Sequence, residues 1–267
     1  MNRIVERFNR LQKKKQKAFV VYIGAGDPNL AATLQLALAF DKLGVDVLEL
    51  GIPFSDPLAD GLVNQLAAQR GLESGTTPSR VFGTVAAIRK KSQIPIVLYA
   101  YFNLLHRRGV KQFIDDAAKA GVDGLLVLDL PPEESGHYAK QMKQARLCSI
   151  CLVAPTTPND RIRLIAKQAS GFIYYVSREG VTGMQKSIAA NLADMTAKIR
   201  AHTKLPIAVG FGISNPQQAR EVASVADAVV VGSAIVNQIA QHGKKPGLVK
   251  QVDRFTRDLL DAVKGKG

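Results

Sequence analysis

The feature that most constrains the fold is an eightfold recurrence of short apolar runs. Segments with apolar residues at helical spacing separate these runs, as in 31–44 and 111–122, and several of the segments end in glycine, which favours the end of a helix. The runs are apolar on both alternating faces, as parallel strands covered by helices are. The eight runs are FVVYIGA (19–25), VDVLELG (45–51), IPIVLYA (94–100), GLLVLDL (124–130), CSICLVA (148–154), GFIYYVS (171–177), PIAVGFG (206–212) and AVVVGSA (228–234).

Eight strand–helix units in a chain of 267 residues predict an α/β fold of the (β/α)8 TIM-barrel type. We expect a single domain over residues 1–267, because no linker or shift in composition divides the chain. The spacing of Ile4, Phe8 and Leu11 predicts an additional N-terminal helix. The alternative is a doubly wound open sheet, but GAGDPN (24–29) has two glycines of a dinucleotide fingerprint and lacks the third.

The charge balance is strongly basic, with 36 Lys and Arg against 22 Asp and Glu and a net charge of +14. Apart from KKKQK (13–17), the basic residues are scattered over helix-like segments without interleaved aromatics. This pattern favours attraction of a small anionic substrate over nucleic-acid binding. No apolar run reaches the ~18 residues of a membrane span, and the N-terminus lacks the apolar core of a signal peptide. The sequence therefore predicts a cytoplasmic protein with neither a nucleic acid nor a membrane as partner.

The two cysteines, Cys148 and Cys151, form a CxxC pattern inside an apolar run. In a strand, positions three apart point to opposite faces, so the two sulfurs cannot meet. We therefore interpret them as structural residues and not as a redox or metal pair.

A carboxylate lies near the end of the second apolar run, where ELGIPFSDPLADG (49–61) begins. Alternation places Val45, Val47 and Glu49 on one face. If that face is the barrel lumen, Glu49 points inward at the end of the barrel where active sites lie. Burial there raises a carboxyl pKa, which allows the group to act first as an acid and then as a base. The alternative is a glutamate paired with a lysine or arginine at the barrel rim.

The loop that follows adds Asp56 and Asp60, among residues typical of turns. Taken singly, each aspartate is typical of a turn or a helix cap. Three neighbouring carboxylates also raise the possibility of a divalent cation, but the loop lacks the regular alternation of ligands that such sites use. We therefore predict no metal site.

Glycine clusters at three strand ends, GVTG (180–183), GFGIS (210–214) and GSA (232–234), indicate a phosphate site. Glycine lets backbone N–H groups approach an anion, and helix N-termini add favourable dipoles, with Ser214 and Ser233 as candidate N-caps. Barrels frequently bind phosphate through the loops after strands seven and eight, where the last two clusters lie. Ordinary turn glycines are the alternative for any single cluster.

Taken together, these motifs resemble those of one known protein family. ELGIPFSDPLADG, preceded by AGDP (25–28) and followed by LDLPPEE, SREGVTG, GFGIS and GSAIV, resembles the tryptophan synthase alpha chain family over nearly the whole chain and in the same order. The resemblance implies retro-aldol cleavage of indole-3-glycerol phosphate to indole and glyceraldehyde 3-phosphate, with no cofactor in this chain. It implies that Glu49 is the proton shuttle and that Asp60 accepts a hydrogen bond from the indole N–H.

The resemblance also implies a set of substrate contacts, with Thr182 in a loop that closes over the site. Strand periodicity by itself allows either Tyr174 or Tyr175 to face the lumen. The implied contacts are Tyr174, Thr182, Gly183, Phe211, Gly212, Gly232 and Ser233.

A partner is implied in the same way: a beta chain that carries pyridoxal phosphate, in an α2β2 heterotetramer that passes indole through a tunnel. The implied interface includes Asp56, Asn103 and Pro131.

Four residues depart from the family pattern: Val21 where proline is frequent, Gly24 where threonine is usual, Leu62 where proline is usual, and Asn64 where an apolar residue is common. Two alternatives to an active subunit of the complex stay open. One is a catalytically weak regulatory subunit that mainly binds and activates the beta chain. The other is a free-standing lyase that acts on the same substrate.

Overall fold

The computed structural model describes residues 1–177, 185–210, 212–243 and 245–265, and for residues 185–190 only the helical backbone. Eight parallel strands close into a barrel in sequence order, with β8 paired to β1. This confirms the TIM-barrel prediction. The strands are β1 (Ala18–Gly24), β2 (Val47–Gly51), β3 (Ile96–Ala100), β4 (Gly124–Val127), β5 (Cys148–Val153), β6 (Ile173–Val176), β7 (Ile207–Gly210) and β8 (Ala228–Val231).

Helices surround the barrel, and the predicted N-terminal helix is present as α1. None of the helices in the described ranges combines the length and apolar character that crossing a bilayer requires. The helices are α1 (Arg3–Lys13), α2 (Leu30–Leu43), α3 (Leu62–Glu73), α4 (Pro78–Arg89), α5 (Phe102–Arg108), α6 (Val110–Ala120), α7 (Gly136–Gln144), α8 (Asn159–Gln168), α9 (Gln185–Arg200), α10 (Pro216–Val225), α11 (Ser233–His242) and α12 (Leu248–Lys264).

Two apolar cores lie on the two faces of the strands. The larger core lies between the barrel and the helices, and a smaller core fills the lumen. Helix α1 closes the N-terminal end of the lumen, where Phe8 packs against Phe172 with ring centroids 5.5 Å apart. The predicted alternation is correct for Val47 but wrong for Val45, which precedes β2 and packs in the outer core. Because α1 closes one end, a substrate can enter only from the C-terminal ends of the strands.

Three buried or half-buried aspartates tie the N-terminal ends of the strands together. Each precedes an even-numbered strand, accepts the N–H of a neighbouring strand and pairs with an arginine. The hydrogen bonds join Asp46 to Phe19 at 2.8 Å, Asp123 to Ile96 at 2.9 Å and Asp227 to Ile207 at 2.9 Å. These carboxylates therefore have a structural role at the closed end of the barrel.

The two cysteines lie on opposite faces of β5, as the strand period predicts. Cys148 belongs to the lumen core, whereas Cys151 packs against the outer core. Burial raises the pKa of the Cys151 thiol to about 11, which keeps it in the unreactive thiol form at neutral pH.

Candidate active site

Glu49 points into the lumen from β2, opposite Tyr22 of β1 and Val97 of β3. Its side chain is fully buried, and neither carboxyl oxygen accepts a hydrogen bond from any group in the described ranges. Desolvation raises the pKa of Glu49 to about 8. Within those ranges the carboxyl therefore has no rim cation as partner, and at neutral pH it is mostly protonated and ready to donate.

Asp60 lies in the loop between β2 and α3 and is held by two tyrosines. The Tyr99 hydroxyl donates to Oδ1 at 2.7 Å, and the Tyr101 hydroxyl donates to Oδ2 at 2.8 Å. The Tyr101 hydroxyl also accepts the N–H of Ala59 at 3.0 Å, which fixes the loop. Burial, together with the charge of Asp60, raises the pKa of both tyrosines, so they remain protonated donors. Two fixed donors on two oxygens match an ionised carboxylate.

A tyrosine cluster, defined by Tyr22, Tyr99, Tyr101 and Tyr174, surrounds the two carboxyl groups. The rings of Tyr22 and Tyr99 meet edge to face with centroids 4.8 Å apart. Tyr174 packs with the lumen residues, whereas Tyr175 packs in the outer core, which settles which of the two faces inward. Burial raises the pKa of Tyr22 and Tyr174, with Glu49 contributing to both.

Sequence reasoning missed three members of this cluster. For two of them the signal was present, because Tyr22 shares the lumen face with Val20, and Tyr99 shares it with Val97, by the same alternation that places Glu49. Tyr101 follows the end of β3, where alternation gives no signal.

Of the residues that depart from the family pattern, Val21 and Gly24 lie in β1, and Leu62 and Asn64 lie in the first turn of α3. Asn64 turns its amide nitrogen toward Asp60 Oδ1 at 3.5 Å, while its buried Oδ1 has no hydrogen-bond partner in the described part of the chain. Leu62 is the first residue of α3 and is exposed. At Gly24 a Cβ atom would lie 3.4 Å from the Cβ of Ala67 in α3, an ordinary van der Waals contact, so nothing in the structure explains the glycine.

The predicted phosphate residues that the structure describes lie at the same end of the barrel. Gly232 and Ser233 form the start of α11, which directly follows β8, and the N–H groups of a helix's first turn have no partner within the helix. Gly212 follows β7 with a φ of +68°, a conformation that favours glycine. Thr182, Gly183 and Phe211 lie outside the described residues.

The predicted helix caps are wrong by one residue in both loops. Asn215 caps α10 by accepting the N–H of Gln218, and Gly232 is the cap position of α11, so Ser233 is its first helical residue. Ser214 instead donates its hydroxyl to Gln218 Oε1. A serine next to a better cap, or next to a glycine that occupies the cap position, cannot be distinguished from a cap by sequence alone.

The predicted partner residues follow three consecutive strands at the open end. Asp56 and Asn103 are exposed, and Pro131 is half-buried. They follow β2, β3 and β4, so they lie on one side of the barrel mouth. Their role in partner binding stays a prediction.

Comparison with known proteins gives a consistent result. The sequence model of the "Tryptophan synthase alpha chain" family matches residues 8–264. The tryptophan synthase alpha chain of Opitutus terrae is 54% identical over 265 residues, covering 99% of this chain and 100% of that protein. The corresponding chain of Geotalea daltonii is 49% identical over 245 residues, covering 92% and 93%.

Solved structures agree with the sequences. The crystal structure of tryptophan synthase subunit alpha from Legionella pneumophila superposes with a TM-score of 0.91 at 36% identity, covering 99% of each chain. A chain of tryptophan synthase from M. tuberculosis in its aminoacrylate-bound form gives a TM-score of 0.88 at 27% identity, covering 98% of this chain and all of that one. The barrel fold, the match to the family's sequence model and the identity to its members agree, so this chain belongs to the tryptophan synthase alpha chain family.

Proposed function

We propose that Glu49 and Asp60 carry out, in this chain, the reaction of its family. Alpha chains of the family are lyases that cleave indole-3-glycerol phosphate to indole and glyceraldehyde 3-phosphate. The observation that carries the assignment is the contrast between the two carboxyl groups. Glu49 is buried without a partner among the described residues and has a raised pKa, whereas two hydroxyls hold Asp60. In such a pair, one carboxyl group transfers protons, here Glu49, and the other supplies a fixed negative charge, here Asp60.

The cleavage requires a proton to enter and a proton to leave. Glu49, protonated at neutral pH, donates to C3 of the indole ring, and the ring acquires positive charge. Asp60 accepts the hydrogen bond of the ring N–H and stabilises that charge. Glu49, now a carboxylate, takes the proton of the glycerol hydroxyl next to the ring. The C=O bond forms, the carbon–carbon bond breaks, and its electrons return to the ring, so Glu49 ends in its starting state.

The phosphate of the substrate is assigned to the glycine-rich loops. Gly212 supplies a backbone without a side chain, and the first turn of α11 at Gly232 and Ser233 supplies N–H donors and a favourable dipole. The excess of basic residues favours approach of the anionic substrate. Contacts from Tyr174, Thr182, Gly183 and Phe211 remain part of the prediction.

A beta chain is the proposed partner, in an α2β2 heterotetramer in which the beta chain carries the pyridoxal phosphate and this chain carries no cofactor. Exposed leucines support an interface at the barrel mouth: Leu58 is 91% exposed, Leu62 69% and Leu66 44%. Leu58 is two residues from Asp56, Leu62 and Leu66 are one turn apart on α3, and exposed apolar side chains grouped in this way mark protein-binding sites. Leu62 therefore supports an interface role at the position where the family pattern breaks.

The direct test is release of indole from indole-3-glycerol phosphate, measured for this chain alone and with a beta chain. An active subunit releases indole alone and faster with the partner. Activity equal to buffer in both conditions contradicts the proposed reaction and favours the regulatory alternative. Substantial turnover that the beta chain leaves unchanged favours the free-standing lyase.

The two tyrosines that hold Asp60 give a graded prediction. Tyr99→Phe removes one hydrogen bond to a charged group, and we expect kcat/KM to fall by about tenfold. Tyr101→Phe also removes the acceptor of the Ala59 N–H, and we expect a fall nearer to about a hundredfold because the loop loses its anchor as well.

The matched control is Tyr138→Phe, a buried tyrosine in the outer core that makes no contact with Asp60. It should retain the activity of the unaltered chain. Equal activity of Tyr99→Phe and Tyr138→Phe would mean that the Tyr99 hydroxyl does not position Asp60.

A further inference from the structure

A hollow of about 490 Å³ lies at the closed end of the barrel, beside α1 and opposite the active site. We call it the base hollow. Its floor is apolar, with buried Phe8 and Leu11 of α1 facing half-buried Leu205 and Pro206 before β7. The volume falls in the range of small-molecule sites, about 300–1,000 Å³. Because the predicted partner residues lie at the opposite end, the base hollow stays open when the mouth is covered.

The rim of the base hollow carries four cations, Lys15, Lys17, Arg200 and Lys204, against one carboxylate, Asp227. Asp227 is already occupied, because its Oδ2 accepts from Arg200 at 2.9 Å and from the Ile207 N–H at 2.9 Å. In the described part of the chain, neither Lys15 nor Lys204 has an acidic partner, and both are exposed at the rim. The positive charge over the apolar floor is therefore not compensated.

Lys15 belongs both to the rim of the base hollow and to the end of α1. It ends the helix α1 in the left-handed conformation, with a φ of +53°. The Gln16 N–H bonds to Leu11 and the Lys15 N–H to Gln12, so Lys15 occupies the position in this helix-ending motif where glycine is usual. Arg146 ends α7 in the same conformation, with a φ of +58°, so this backbone geometry is not by itself a sign of binding. What Lys15 contributes to the base hollow is an exposed cation at its rim.

We propose that the base hollow binds an organic anion with a flat apolar body and one carboxylate, sulfonate or phosphate group. The apolar body rests on half-buried Val5, Leu205 and Pro206, and the anionic group meets Lys15 and Lys204. The KKKQK run, which the lyase reaction does not use, supplies two of the rim cations, Lys15 and Lys17.

The test uses the fluorescent probe 1-anilinonaphthalene-8-sulfonate, titrated into the full-length Glu49→Gln protein saturated with indole-3-glycerol phosphate, so that the active site is filled. We expect saturable binding that weakens about tenfold or more in Lys204→Glu. The control Lys90→Glu makes the same change of net charge at an exposed residue after α4, outside the base hollow. It should leave the affinity unchanged, and the neutral probe N-phenyl-1-naphthylamine should bind more weakly than the sulfonate.

The Lys15→Gly variant distinguishes a loss of probe binding from a loss of stability. Glycine relieves the left-handed backbone, so the variant should unfold at the same or a higher temperature while losing about tenfold in probe affinity. The proposal is overturned if the active-site-blocked protein does not bind the probe. It is also overturned if Lys204→Glu and Lys15→Gly bind as tightly as Lys90→Glu does.

Discussion

Glu49→Gln is expected to reduce indole release by at least about a thousandfold, because a general acid–base group contributes about 10²–10⁴-fold and Glu49 serves two proton transfers. Glutamine keeps the shape of the side chain but cannot give up a proton and take one back. The measurement is steady-state indole formation by the purified variant. Glu73→Gln, an exposed position at the end of α3, is the matched control and should retain activity.

The same substitution should stabilise the protein at alkaline pH. The pKa of Glu49 is raised by burial from 4.5 to about 8, so between these values the folded state holds a proton that the unfolded chain has released. The stability of the unaltered chain therefore falls as pH rises through this window. Glutamine does not ionise, so we expect the variant to gain a few kcal/mol in free energy of unfolding at pH 8.

Denaturant unfolding at about pH 4.5 and about pH 8 measures this difference. The two proteins should be close in stability at the acid end and diverge toward the alkaline end. Near-normal turnover would remove Glu49 from the mechanism. A stability difference independent of pH would contradict its titration in the folded state.

Asp60→Asn is expected to lower kcat by about 10²–10³-fold, the usual cost of removing one electrostatic stabiliser of a transition state. An amide has no charge to offset that of the ring. It also presents an N–H₂ group to one of the two tyrosine hydroxyls that now donate to Asp60. Because the charge on the ring develops during reaction, the loss should fall on kcat more than on KM.

Asp258→Asn, on the exposed face of α12, is the control for this prediction and should leave both constants unchanged. An Asp60→Asn variant with reduced affinity but normal kcat would show that Asp60 binds substrate without stabilising the transition state.

The sequence predicted the barrel because each strand repeats the same local pattern, which needs no knowledge of distant contacts. The position of Glu49 followed from alternation within one strand. Alternation also places Tyr99 in the lumen, but the hydrogen bonds of Tyr99 and Tyr101 to Asp60 did not follow from it, because they depend on the path of the loop after β2. Val45 was misplaced for a related reason, since alternation holds only within the strand, and β2 begins at Val47.

The surroundings of the residues that depart from the family pattern also could not be predicted from the sequence. From the sequence, Asn64 places a polar side chain at a pocket position that is usually apolar, yet in the structure its amide nitrogen faces Asp60. At Gly24 a side chain would make only an ordinary contact with Ala67, so the structure does not explain the lost hydroxyl. The contact of Asn64 depends on the path of the loop that leads into α3, which is a tertiary feature.

The central claim is that Glu49 holds its proton at neutral pH. Its titration can be followed by carboxyl ¹³C NMR of the protein labelled at glutamate, with the resonance assigned by its loss in Glu49→Gln. We predict a midpoint near pH 8. A midpoint near the ordinary value of 4.5 would mean that the group is ionised at neutral pH, and it would contradict the account of Glu49 as the acid that begins the reaction.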